Sequence, residues 1–437
     1  MKKKSLYLLF VSTLACTVYL WWSGSSGLFL QAGNRNLSLI AVGRLCGLLL
    51  ETGILMQLVF MGRVRWIEQQ FGHDKLNRIH RTLGKYLSIL LVLHPFLITT
   101  GYAHYTGSGF FGQFWEFLTT WDHVLKAFSG LIILAIVIAT SVFLRGRIRY
   151  EFWYFTHFSV YAAIALAFFH QTRFGDFAGR PGAIVYWYVL NFGVFGLILG
   201  YRFVRPLYLF VIHDFRVERV VVENYNTYSV HIGGRDLARF HFLPGQFANL
   251  FFLQRGLLFS HPFSFSAAPN GQSLRFSIKA EGDFTSRVSK LRPGARVLID
   301  GPLGVFTEKT AHVDKFLFVA GGIGITPIRS LVESLAQKNK DLVLLYANRT
   351  PEDAVFGREL ATIAARQHYV FSNILEQETP GYEKGRIDRE KIARLVPDVL
   401  EREAFICGPP PMMEAVAKTL QSLGMSRERI HFEKFSY

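Results

Sequence analysis

Four histidines have the type and spacing to do chemistry: His80 and His94, then His157 and His170. Each pair sits in an apolar segment, with its members 14 and 13 residues apart respectively. At about 1.5 Å rise per helical residue, either spacing is about 20 Å, near two-thirds of a hydrocarbon core about 30 Å thick. Both spacings are close to four helical turns, so the two histidines of a pair are expected to share one face. Two helices with matched pairs would set two bis-histidine sites at two depths of a membrane. That is the ligand set of two stacked b-type haems. A lone intramembrane histidine is more often a hydrogen-bond partner between helices; four in two matched pairs point to ligation.

The elements that must position them are membrane spans. Half of the residues (50%) are hydrophobic and 15% are aromatic, and the mean hydropathy is +0.24. Six apolar stretches, at about 5–22, 37–60, 82–103, 124–144, 152–170 and 183–203, are each near the length of a spanning helix. Lys2, Lys3 and Lys4 precede the first like the basic region of a signal peptide, but no small-residue cleavage site follows, so an uncleaved span is expected. Lys2–Lys4, Arg63, Arg65, Lys75, Arg78, Arg81, Arg145, Arg147 and Arg149 fall in alternate connections, and the others carry little positive charge. The positive-inside rule then puts the N-terminus and the C-terminal half in the cytoplasm, here of a bacterial inner membrane. His80 matches His157 near the cytoplasm, and His94 matches His170 near the outside.

The net charge of +16 does not imply nucleic acid, since much of the excess lies where anionic lipid accounts for it. Cys16, Cys46 and Cys407 stand in separate contexts and make neither a disulfide framework nor a thiolate metal site. No internal repeat, low-complexity tract or calcium loop is evident.

From about residue 209 the pattern becomes short β-rich runs broken by Gly and Pro: Phe210–Val222, Ser229–Ile232, Phe247–Phe252, Ser273–Lys279 and Arg296–Ile299. Such spacing suggests a small antiparallel barrel. Between them lies His261-Pro262-Phe263-Ser264-Phe265-Ser266, in which Phe263 would stack on a flavin ring and Ser264 would hydrogen-bond its reactive edge. Gly282-Asp283-Phe284-Thr285 then opens an expected helix at Ser286–Leu291, whose N-terminus suits a pyrophosphate.

Residues 315–437 alternate strands and helices. The strand Lys315–Ala320 leads into Gly321-Gly322-Ile323-Gly324-Ile325-Thr326-Pro327 and a helix at about 327–338, the context in which a glycine loop meets nucleotide phosphates or nicotinamide. Pro327 suits a first helical position. After the strand Leu342–Tyr346 come Asn348 and Arg349, the latter placed for a 2′-phosphate and so favouring NADPH over NADH. The strand Ala404–Ile406 leads into Cys407-Gly408-Pro409-Pro410, bordering the nicotinamide with Cys407 beside the hydride path. The chain ends Phe435-Ser436-Tyr437, an aromatic tail that could cover the flavin face.

Together these motifs resemble the NADPH oxidase and ferric reductase superfamily, in the short bacterial form, over nearly the whole chain. The resemblance implies a multidomain fold: a six-helix transmembrane bundle followed by a ferredoxin-reductase-like module, with an antiparallel β-barrel FAD domain and an α/β nucleotide-binding domain. The expected limits are 1–206, 209–310 and 311–437. It implies haem ligation by His80, His94, His157 and His170. It implies FAD contacts from His261, Pro262, Phe263, Ser264 and Thr285, within motifs that include Ser266, Asp283 and Phe284. It implies nicotinamide-nucleotide contacts from Gly322, Gly324, Thr326, Arg349, Cys407 and Gly408, within motifs that include Gly321, Ile325, Pro327, Asn348 and Pro409. Phe435 is expected to stack on the flavin, with Tyr437 as the alternative. No calcium-binding or regulatory extension is recognisable, so no activating subunit is expected.

A hydride carries two electrons and a bis-histidine haem accepts one, so a flavin must split the pair. Three functions fit: an oxidase passing electrons from NADPH to O2 and making superoxide, a ferric or cupric chelate reductase, and an electron donor to a periplasmic protein. The fused dehydrogenase argues against the third. Arg44, near the outer end of the second stretch, is expected either to meet a haem propionate or the anionic product, or to snorkel to the interface. The segment 102–123 is aromatic, holds His104 and His123, and is expected to cap the outer haem over a small acceptor, which favours O2.

Overall fold

The computed structural model describes residues 3–144, 146–257, 259–367 and 370–433. Phe435 and Tyr437 therefore lie outside the described residues. The chain divides into two compact units, Met1–Tyr201 and Arg202–Tyr437.

The first unit is helical: α1 (Lys3–Trp22), α2 (Ser25–Gln31), α3 (Arg35–Met61), α4 (Arg65–Phe71), α5 (His73–Thr106), α6 (Phe110–Thr120), α7 (Asp122–Val142), α8 (Tyr150–Phe158), α9 (Val160–Arg173) and α10 (Pro181–Ile198). Among the described residues, six helical segments are long and apolar enough to cross a membrane: Lys4–Trp22, Arg35–Met61, His73–Thr106, Asp122–Val142, Phe152–Arg173 and Pro181–His213. Local chemistry sets their ends. Asn34 caps α3 by accepting from the amides of Asn36 and Leu37 at 2.9 and 3.3 Å, and α5 stops where Gly107 turns left-handed.

Two expectations change here. The aromatic cap is a helix rather than a loop, since α5 runs on to Thr106 and α6 follows. The fifth span is not one unbroken helix. At about 100° per residue, 14 residues return an α-helix to within about 40° of its starting face, whereas 13 leave it about 140° away. The break between α8 and α9 falls at Ser159, between His157 and His170. There the Ser159 amide reaches both Phe155 and Thr156 carbonyls at 3.2 Å, a tighter turn that winds in the direction needed to close that gap.

The second unit opens with α11 (Arg205–His213), so the strand expected from Phe210 starts late; Asp214 at φ 44° ends the helix first. The strands β1 (Arg216–Asn224), β2 (Thr227–Gly233), β3 (Phe247–Phe252), β4 (His261–Ser264), β5 (Leu274–Lys279) and β6 (Val297–Leu303) form two antiparallel three-stranded sheets, β1-β2-β5 and β4-β3-β6. Their inward residues, among them Phe215, Val230, Phe252, Phe265 and Phe276, make one core. The expected helix at Ser286–Leu291 is instead a six-residue 3-10 segment, Thr285–Lys290.

The rest is a parallel sheet with helices: β7 (Lys315–Gly321), α12 (Ile325–Gln337), β8 (Asp341–Asn348), α13 (Gly357–Gln367), β9 (Val370–Leu375), β10 (Glu383–Lys384), α14 (Arg389–Leu395), β11 (Glu403–Cys407), α15 (Pro410–Ser422) and β12 (Ile430–Glu433). The strand order is β10-β9-β8-β7-β11-β12, so the winding direction reverses between β7 and β11. In open α/β sheets, ligands bind at the carboxyl ends of the strands beside that reversal. Pro327 is the third residue of α12 rather than its first.

Candidate functional site

The sequence lets α3 approach α5 closely. Gly43 and Gly47 are four residues apart, the small-residue spacing that brings membrane helices together. A Cβ at Gly47 would stand 2.7 Å from both Cε1 and Nδ1 of His94, so glycine leaves the room that the imidazole fills. The Nδ1 of His94 is 2.8 Å from the carbonyl oxygen of Gly43. A carbonyl only accepts, so that nitrogen carries the proton and Nε2 is bare. The Nδ1 of His170 makes the same kind of bond to the Ala167 carbonyl. The two rings face each other with centroids 6.2 Å apart.

The other pair has matching geometry and different support. His80 and His157 have ring centroids 5.9 Å apart. Two imidazoles binding one metal from opposite sides at about 2 Å have ring centres about 6 Å apart, and both pairs meet that condition. The Nδ1 of His157 is 3.3 Å from the Ser141 hydroxyl, which also accepts from the Trp153 indole at 3.1 Å, and Trp153 stacks on His157. The Nδ1 of His80 is buried with no hydrogen-bond partner. Among the described residues, no cluster of three or more His, Cys, Asp or Glu could hold a metal ion.

A cavity of about 390 Å³ opens beside His94 and His170, walled by Gly47, Leu91, Phe128, Leu131 and other apolar residues. Phe114, Phe117 and Leu118 of α6 close one side of it. Arg44 borders the cavity but does not snorkel: its side chain is 15% exposed and lies 3.8 Å from the Asp176 carboxylate. It also donates to Ser25 at 2.8 Å and Tyr102 at 3.3 Å, so most of its hydrogen-bonding capacity is committed inward. The sequence reading missed Glu51. This buried carboxyl on α3 lines the same cavity with Oε1 unpartnered, and a lone acid inside an apolar stretch was the available signal. His104 is exposed, and the His123 ring lies 6.5 Å from Phe169.

In the second unit, β4 carries the His261–Ser264 motif along the barrel edge. The Ser264 hydroxyl is buried without a partner. Phe263 lies nearly parallel to Phe284, and His261 contacts Phe284 with centroids 4.0 Å apart. Ser266 corrects the expectation: its hydroxyl is fully buried and bonded to Ser277 at 2.8 Å, so it serves the barrel core. The Thr285 hydroxyl accepts from the amides of Glu281 and Gly282 at 3.0 and 2.9 Å, tightening the turn that exposes Asp283.

At the strand reversal, the turns after β7 and β11 interlock. A Cβ at Gly324 would collide with the carbonyl of Cys407, so the two backbones pass as close as glycine allows. Thr326 and Ile325 are buried in the first turn of α12, where Thr326 bonds the Ile323 carbonyl at 3.0 Å. The Cys407 side chain packs in the core with Phe318 and Phe405. Pro409 and Gly408 continue that turn. Asn348 ends β8, and Arg349 just beyond it is 68% exposed with Asp353 at 3.4 Å.

A buried ion cluster joins barrel and nucleotide layers. Arg275 of β5 pairs with Glu223 at 2.8 Å and Glu359 at 3.2 Å. Arg329 of α12 pairs with Glu333 and Glu359 and donates to the Ser266 carbonyl at 2.8 Å. Burial pushes the Glu359 carboxyl up, but the Arg329 and Arg275 guanidiniums outweigh it and hold it below the usual carboxylate range. The clamp fixes the angle between the two layers that a flavin and a nicotinamide must bridge.

A membrane bundle fused to FAD- and nucleotide-binding layers defines a transmembrane oxidoreductase using FAD and NAD(P). Residues 46–168 match the ferric reductase like transmembrane component, 212–307 an FAD-binding domain and 318–418 the oxidoreductase NAD-binding domain. That order matches the architecture of the NADPH oxidase and ferric reductase superfamily. His80, His94 and His157 fall within the transmembrane match. Over 237 residues the chain is 32% identical to the glycine betaine monooxygenase reductase subunit of Chromohalobacter salexigens, covering 51% of this chain and 64% of that protein. It is 30% identical to an NADPH oxidoreductase of Mycobacterium tuberculosis, over 45% of this chain and 53% of that one. Among solved structures, the ferredoxin reductase in carbazole 1,9a-dioxygenase is similar at 27% identity and a TM-score of 0.45, over 51% of this chain and 68% of that one.

Proposed function

We propose that this chain is an NADPH oxidase of a bacterial inner membrane, with both termini cytoplasmic and O2 reduced outside. When bound, FAD would supply the conversion of the NADPH hydride into single electrons, and two b-type haems would supply the one-electron route to O2, giving superoxide. The observation that carries this reading is the pair of facing imidazoles at each of two levels of α5, α8 and α9. His80 and His157 hold the inner group and His94 and His170 the outer one. The residues fit such a group: the outer imidazoles border a cavity with largely apolar walls, and Gly47 leaves the room in which the His94 ring sits. The paired imidazoles would hold such groups from both sides, leaving a small acceptor to meet them from the cavity beside His94 and His170.

The residues of the soluble unit bind and orient. Phe263 and the unpartnered Ser264 hydroxyl border the flavin, and the turn Gly282–Thr285 meets its pyrophosphate. The interlocked turns at Gly321–Thr326 and Cys407–Gly408 hold the nicotinamide, and Arg349 reads the 2′-phosphate that distinguishes NADPH from NADH. Arg44 positions rather than reacts, holding the mouth of the outer cavity through Asp176, Ser25 and Tyr102. A second reading, electron transfer to a protein partner, draws on relatives named as monooxygenase reductase subunits. The largely apolar walls of the cavity beside His94 and His170 support a small acceptor instead.

The purified protein is expected to hold about two b-type haems per chain, and His94→Ala about one. In that variant NADPH still reduces FAD while O2 reduction stops. A wild-type protein without a Soret band, or a variant that keeps both haems, refutes the assignment. Reduction of a ferric chelate under argon faster than O2 consumption would move the acceptor to the chelate.

A further inference from the structure

The helix α6 stands between two apolar surroundings. On one side Phe114, Phe117 and Leu118 line the cavity beside His94 and His170. On the other, Phe111 is 84% exposed and Trp115 67% exposed. These two are four residues apart, so they form one outward face. The helix does not need water there, because its buried amide is satisfied inside. Gln113 accepts from Thr106 at 2.8 Å and Ser108 at 3.2 Å, and donates to Glu116 at 3.1 Å. The outward face also continues onto exposed apolar residues of α5, a helix long and apolar enough to cross a membrane. On α5, Ile89, Val92 and Phe96 point outward. Phe96 meets Phe110 at 5.8 Å, and Phe110 meets Phe111 at 5.5 Å. On the other flank Phe114 contacts Phe128 of α7 at 5.2 Å. Aromatic residues concentrated at the end of a span are the signature of a membrane–water boundary.

We propose that α6 lies in the outer leaflet with Phe111 and Trp115 in lipid, and that the outer cavity draws its acceptor through this wall from the bilayer. The acceptor is then a small apolar molecule, the class to which O2 belongs. A hydrated metal chelate would have to shed its water to cross phenylalanine side chains. The acceptor half rests on the electron path proposed above, whereas the placement of α6 does not.

The test uses full-length protein in lipid nanodiscs with Cys16, Cys46 and Cys407 replaced by alanine and a nitroxide on Phe111→Cys or, separately, on Trp115→Cys. Relaxation by O2 is compared with relaxation by a water-soluble nickel chelate. Lipid immersion makes O2 the stronger relaxant at both positions. A stronger effect of the nickel chelate overturns the placement, and so does weak relaxation by both, which would mark a face covered by protein such as a second copy of the chain. In parallel, the protein with its native cysteines is tested in the same discs with O2 and with ferric citrate under argon. The ferric citrate rate is expected to be about tenfold lower or less, given the cost of stripping water from a charge. Comparable rates overturn the acceptor half. Protein without haem would sink the electron path yet leave the nitroxide result standing.

Discussion

His94 and His170 each give Nδ1 to a main-chain carbonyl, whereas His157 turns its own toward the Ser141 hydroxyl and His80 has no partner for its Nδ1. A carbonyl accepts and nothing else, so the outer imidazoles have one tautomer before any metal arrives. A hydroxyl both donates and accepts, so Ser141 leaves the tautomer of His157 open. Backbone support also resists substitution, because no side-chain change removes the oxygen of Gly43. The His94–His170 pair is therefore vulnerable through packing, and the His80–His157 pair through the loss of one hydroxyl.

The largest effect should come from attacking that packing. Gly47→Val puts carbon where the His94 ring lies, given that even a Cβ would stand 2.7 Å from it. The helices cannot separate locally, since Gly43 meets Ile98 and Gly53 meets Leu87 on the same interface. The expected result is loss of the outer haem with the inner retained, read as a halved haem-to-protein ratio. Gly84→Ala is the control: its Cβ would find only Gln57 at 3.6 Å, an ordinary contact, so haem content should hold. Equal haem loss in both variants would show that the effect is general destabilisation.

The same contrast between backbone and side chain recurs in the soluble unit. The turns at Gly324 and Cys407 present main chain, while Arg349 offers an exposed guanidinium already near Asp353. A charged hydrogen bond contributes about 1.5–3 kcal/mol, and exposure argues for the lower end. Arg349→Ala is thus expected to raise the KM for NADPH about tenfold, with the KM for NADH nearly unchanged. Equal increases for both nucleotides would show that Arg349 does not read the 2′-phosphate.

Much of this was legible because periodicity and composition report burial. The six spans, the glycine turn after β7 and the histidine pairs all follow from residue type and spacing. What stayed hidden depends on tertiary contact. A 13-residue spacing leaves a straight α-helix about 140° off its starting face, and the break at Ser159 between the two histidines is a tertiary feature that residue spacing does not reveal. Ser266 sits in a flavin motif, yet its partner Ser277 lies on another strand and turns it into the core. Cys407 follows a strand end as expected, but its side chain falls on the packed face of β11. Arg44 was legible as an expensive charge; its partner Asp176, 132 positions further along the chain, was not. Ser141 gave no signal, being one serine near the end of an apolar helix.

That serine supplies the smallest and most discriminating test of the two pairs. A hydrogen bond accepted from Nδ1 makes a ligating imidazole more electron-rich and favours the oxidised metal. Removing the acceptor should do the reverse. Ser141→Ala is therefore expected to move the inner haem's reduction potential upward and leave the outer one in place, because Gly43 and Ala167 are untouched. Haem content should not change, since Trp153 still stacks on His157. Ser141→Thr keeps a hydroxyl and should return the potential toward wild type. Spectroelectrochemical titration of the three proteins resolves the two potentials separately. If alanine and threonine shift them equally, packing around residue 141 is responsible. If the outer potential moves instead, the assignment of His157 to the inner site is wrong.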